Sequence, residues 1–200
     1  MSSAEHEASH AWLAYRLGWP CVASVNRGAV ADGCTVADPP MGVPLLTGGP
    51  FLLRPAAERE FVTNTCLIAL AGQIGEELLA PVLDGRIVDP VGEQAAALLE
   101  TPGLAELPEL PGPADQLVMS AFMDDPAGVC DAVRAAEWAS LAHGADHVGA
   151  SRWLAWLESE ARAILAADVE QVRLVAAALQ RDGEMSSAAI PALVGACSLT

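Results

Sequence analysis

The chain reads as mainly α with one small β element after the first helix. Three observations predict this. Helix-favouring or periodically apolar sequence covers 4–17, 56–79, 127–141 and 151–181. The strand-like runs are two short ones, 21–26 and 34–37, about a glycine-marked turn. Prolines and glycines gather in 39–55 and 81–113, where they mark loop or edge strand.

In chain order, the first helix rests on Ala4, Ala8, Ala11, Leu13, Ala14 and Leu17, all strong helix formers. Ser2-x-x-Glu5 can close a capping box at its start, and Gly18 followed by Pro20 stops it. Gly28 and Gly33 punctuate the turn between the two strands. Over 56–79, Phe61, Thr65, Ile68 and Gly72 share one face. The run Leu67-Ile68-Ala69-Leu70-Ala71-Gly72 is apolar all round, as a buried helix requires. The 81–113 segment carries Pro81, Pro90, Pro102, Pro108, Pro111 and Pro113 and reads as a surface insertion or lid, with one short helical piece over 93–99. Helices are expected over 115–123 and 127–141. The sequence predicts one long helix over 151–181, ended by Asp182-Gly183. Ser186-Ser187 then caps a last helix over 188–194. No internal repeat interrupts the chain, and 200 residues suit a single domain over 1–200.

Composition excludes several functions. The net charge is −16, and all ten basic residues are arginine. Nucleic-acid binding is not expected, because no basic surface exists to neutralise phosphates. A P-loop needs a lysine, and the chain has none. There is no apolar run of the ~18 residues a membrane helix needs, and no basic-then-apolar leader, so membrane insertion is not expected and a cytoplasmic location is. Five cysteines (Cys21, Cys34, Cys66, Cys130, Cys197) are widely spaced and include no C-x-x-C. Reduced, buried thiols fit this best; a Cys21–Cys34 bridge across the hairpin is the alternative.

The chemistry concentrates at the start of the chain, in His6-Glu7-Ala8-Ser9-His10. On a helix, i and i+4 lie on one face, so two imidazoles can bind one Zn²⁺ as neighbouring ligands. The intervening glutamate can reach a metal-held water without ligating the metal. Two ligands and a general base within five residues describe a zinc hydrolase. At average composition such a run arises by chance on the order of once in 200 to 1,000 chains of this size.

These residues resemble the zinc peptidase domain of the FtsH-type, ATP-dependent membrane proteases. That family opens with a helix of the form H-E-A-G-H-A-x-x-A, against His6-Glu7-Ala8-Ser9-His10-Ala11-Trp12-Leu13-Ala14 here. It follows with a short β segment and an Arg-Gly turn, against Val22-Ala23-Ser24-Val25-Asn26-Arg27-Gly28. Its L-A-G-R-A-A-E-E-L helix is matched by Leu70-Ala71-Gly72-Gln73-Ile74-Gly75-Glu76-Glu77-Leu78. The C-terminal helices match only in style. The resemblance implies a zincin-like helical peptidase fold with Zn²⁺ as cofactor, His6 and His10 as ligands and Glu7 as the catalytic base. The family's membrane segment and ATPase module have no counterpart here, so a stand-alone, ATP-independent domain is expected.

A tetrahedral catalytic zinc takes three protein ligands and keeps one open position. In the family the third is an aspartate on a later helix, and the best match is Asp115 in Gly112-Pro113-Ala114-Asp115-Gln116-Leu117. Asp115 could equally be a helix N-cap. Glu76 or Glu77 could supply a two-His-one-Glu site instead; a role behind the ligands, or a structural one, suits Glu76 better. His143 and His147 also stand at i, i+4, but Gly144 weakens helix between them, so they read as solvated loop residues. Trp12, Trp138, Trp153 and Trp156 read as packing residues.

The expected reaction is peptide-bond hydrolysis by a zinc-held water that Glu7 deprotonates. The substrate, a peptide or unfolded protein, would lie extended beside an edge strand near 22–26. An inactive, zinc-retaining binding module and hydrolysis of a non-peptide amide are the rival readings. A homo-oligomer or a separate partner protein is compatible with either.

Overall fold

Helices carry most of the described chain, as the pattern of its segments predicts. The computed structural model describes residues 4–26, 32–42, 44, 50–79, 97, 131–144 and 146–197. Its elements are α1 (Ala4–Arg16), β1 (Cys21–Asn26), β2 (Asp32–Ala37), a 3-10 turn (Phe51–Leu53), α2 (Ala56–Leu79), α3 (Asp131–His143), α4 (His147–Ala167), α5 (Val169–Asp182), β3 (Glu184–Ser186), a second 3-10 turn (Ser187–Ala189) and α6 (Ile190–Cys197). Ser2, Asp115, the helix expected over 115–123 and, Ala97 apart, the 81–113 segment lie outside the described residues. None of the described helices is long and apolar enough to cross a membrane.

The chain gathers into two compact units. The first holds α1, the three strands, α2 from Ala71 onward, α4 from Glu160 onward, α5 and α6. Its sheet is antiparallel in the order β2-β1-β3, with Ala23 opposite Thr35 on one side and Met185 on the other. Helix α1 packs against α5 and both longer strands. It is buried from Glu7 through Ala14, so it behaves as a core helix rather than an amphipathic surface one. Leu13, Val172, Val175, Leu179 and Ile190 fill this core, and each such side chain taken from water contributes about 1.5–3 kcal/mol. The end of α1 is fixed by Gly18 at φ 76°, which lets the N–H groups of Gly18 and Trp19 reach back to Tyr15 O (3.0 Å) and Ala14 O (2.8 Å).

The second unit holds the first 3-10 turn, α2 up to Leu70, α3 and α4 up to Ser159. Ala132, Ala135, Ala136, Ala139 and Ala142 give α3 a buried face of small residues, and Leu154 and Leu157 are fully buried on α4. Phe61 meets Trp138 edge-on at 5.4 Å between ring centroids. Buried Arg54 donates to the carbonyl of Leu141 at 2.7 Å, which satisfies an acceptor in the last turn of α3.

Four expectations need correction. The helix predicted over 151–181 is two helices, α4 and α5, broken at Asp168. Asp168 leaves helical geometry (φ −112°, ψ 22°), and its carboxylate accepts from Trp12 Nε1 at 3.1 Å and pairs with Arg16 at 3.1 Å. Strand β1 is the centre of the sheet, not its edge, because the short β3 covers the side that sequence alone left open. His143 is not solvated: it ends α3 half-buried beside Phe51 and Trp153, and His147 opens α4. Trp156 is 51% exposed, so it is not a packing residue. Cys21 and Cys34 are free thiols, in line with the expected reduced cysteines; their register places Cys21 opposite Ala37 and Cys34 opposite Ser24.

Candidate metal centre

The first helix brings His6 and His10 onto one face, with ring centroids 4.7 Å apart and the rings edge-on. His10 is buried at 7% exposure and His6 is partly exposed. Both belong to a group that could hold a metal ion among the described residues.

Glu7 lies between them in sequence but is aimed at the sheet. It is 3% exposed, and Thr35 on β2 donates to its Oε2 at 2.7 Å and approaches its carbonyl at 3.2 Å. A carboxylate buried this deeply needs a donor. Thr35 supplies one, and the N-terminal turn of α1 adds a favourable dipole. The bond occupies one carboxylate oxygen and fixes the rotamer. Sequence reasoning missed Thr35, since only the strand register brings it under Glu7.

Helix α2 closes the other side. Gly72 and Gly75 have no side chains, and the space a Cβ would take is filled from α1. At Gly72 that space borders Nε2 of His10 and Nε2 and Cε1 of His6; at Gly75 it borders the hydroxyl of Ser9. Ser9, fully buried, donates back to Glu5 O at 2.6 Å, so its hydroxyl is satisfied within α1. One turn on from Gly72, Glu76 Oε1 stands 3.5 Å from His6 Nδ1. A carboxylate behind the distal ring nitrogen orients an imidazole and leaves Nε2 as its ligating atom. Glu77 points elsewhere and pairs with Arg162 at 2.7 Å. Adjacent helix positions diverge by about 100°, so the two acids take different partners.

Asp115 lies outside the described residues. Two of the thiols on these elements, Cys21 and Cys66, are held protonated by burial and are poor nucleophiles. Cys21 contacts Ala11 O, and burial raises its pKa to about 11 against the bonds from Ser187; burial pushes Cys66 up further still. Comparison with protein-family models, curated proteins and solved structures found no match for this chain.

Proposed function

We propose that this chain is a zinc-dependent metallopeptidase, similar to the peptidase domain of the FtsH-type proteases. One observation carries the reading. His6 and His10 share a helix face with both Nε2 atoms bordering Gly72 of α2, while Glu7 is held in place by Thr35. The donor set fits zinc: two neutral imidazoles, one with a carboxylate behind it, one turn apart on a rigid helix.

The third ligand is a carboxylate. Asp115 is the candidate that the family resemblance offers. Glu76 serves His6 from behind instead. Zinc bound here would lower the pKa of a water and polarise a carbonyl. Glu7, its carboxylate oriented by Thr35, would take the proton from that water and pass it to the departing nitrogen. Thr35 keeps that carboxylate from turning into the helix. Among the described residues no strand pairs with the outer edge of β2, and a peptide added there would run past Thr35 and Glu7. The substrate is thus an extended peptide or an unfolded protein segment.

The test is cleavage of an unfolded protein and a quenched peptide library by the zinc-loaded chain, beside Glu7→Gln. Zinc content of about one per chain in both, with cleavage lost only in the variant, supports the enzyme. Equal zinc and no cleavage by the unaltered chain overturns it in favour of a zinc-retaining binding module. Asp115→Ala, compared with the unaltered chain for zinc content, tests the third ligand.

A further inference from the structure

We propose that Gly72 is a positioning residue for the histidine pair: its missing side chain lets both imidazoles pack against α2 with their Nε2 atoms at the position a Cβ would need. The inference deepens the zinc reading and partly rests on it. No backbone demand explains a glycine here. Gly72 lies inside α2 and is not among the glycines with positive φ, and in a helix interior glycine is disfavoured against alanine. What explains it is across the helix–helix seam. A Cβ at Gly72 would stand closer than any real Cβ contact to Nε2 of His10 and to Nε2 and Cε1 of His6. The atoms met are the ones a metal would need from each ring.

Gly75, one turn on, does a different job. A Cβ there would meet the side chain of Ser9 and not the imidazoles. Gly75 thus sets how closely α2 approaches α1 at Ser9, while Gly72 sets how closely it approaches the two imidazoles. Any side chain at 72 has to rotate both rings away, and Glu76 on the same helix then no longer lines up behind His6 Nδ1.

Two measurements on the full chain test this. The first is a thermal double-mutant cycle on metal-free protein. Gly72→Ala should lower Tm when both histidines are present. It should raise Tm when His6→Ala and His10→Ala are already in place, because only helix propensity is then left to change. An equal drop in both backgrounds overturns the proposal. The second is zinc titration followed by elemental analysis. Gly72→Ala should weaken zinc binding at least tenfold; binding within twofold of the unaltered chain overturns the proposal and leaves the peptidase reading standing. If the unaltered chain takes up no zinc, the peptidase reading fails, and the thermal cycle alone decides the role of Gly72.

Discussion

The two units each contain histidines four residues apart, and the same spacing produces opposite results. His6 and His10 lie within one continuous helix, so their rings meet at 4.7 Å on a single face. His143 and His147 straddle a helix break, with Gly144 at φ 60° between them. His143 turns to Phe51 and Trp153, at 5.6 and 5.3 Å between centroids. Spacing brings two imidazoles onto one face only where the helix is unbroken and the facing element lets them approach. In the first unit Gly72 allows that approach; in the second, His143 packs on aromatic rings instead.

Zinc content breaks or upholds this contrast with the largest expected effect. His10→Ala should remove nearly all bound zinc. His143→Ala and His147→Ala should each keep about one zinc per chain. Zinc lost equally from all three variants would mean that the second pair ligates as well.

The two helix breaks sharpen the comparison further. The break at Gly144 is local: Asp146 caps α4 by accepting from the Gly149 N–H at 2.9 Å, in an exposed position. The break at Asp168 is tertiary, held by Trp12 and Arg16 of the ligand-bearing helix. Asp168→Ala strands the N–H of a tryptophan that is 3% exposed, which costs about 1–3 kcal/mol. The Arg16 pair adds little, since that side chain is half exposed. Asp146→Ala loses an exposed cap worth ~1 kcal/mol. Urea midpoints should therefore fall further for Asp168→Ala than for Asp146→Ala, with Asp168→Asn in between because it keeps an acceptor. The reverse order would show that α1 does not depend on Asp168.

These cases also mark what the sequence could reveal. The bounds of β1 and α2 match the expected ranges, because capping residues and period are local signals. Two of the centre's residues, His6 and His10, were legible for the same reason, and Glu7 with them. Thr35 was not, since a threonine in a strand has no signature until register places it under a carboxylate. Strand β3 was hidden because three residues make a strand only by pairing with β1, some 160 residues away in the chain. The break at Asp168 was hidden because the residues either side of it have full helical character, and only Trp12 and Arg16 make leaving the helix worthwhile. Glu76 and Glu77 read as alternatives in sequence; the helix turn between them separates a partner of His6 from a partner of Arg162.

The smallest expected effect separates the two histidine environments by pH. Burial beside Phe51 and Trp153 lowers the pKa of His143 below its ordinary 6.5; Asp146 opposes that shift and Arg54 adds to it. Between the lowered folded value and 6.5, the unfolded chain binds a proton that the folded chain refuses. Stability contributed by neutral His143 is therefore present above about pH 6.5 and lost as pH falls through that window, levelling once the folded state also protonates. His143→Phe keeps a ring between Phe51 and Trp153 and removes the titration. On acidification from about pH 7.5 to about 5.5, metal-free wild type should lose more of its urea midpoint than His143→Phe. Groups common to both proteins cancel in the difference. Parallel pH profiles would show that His143 is open to solvent, as its sequence context first suggested, and the contrast between the pairs would then rest on helix continuity alone.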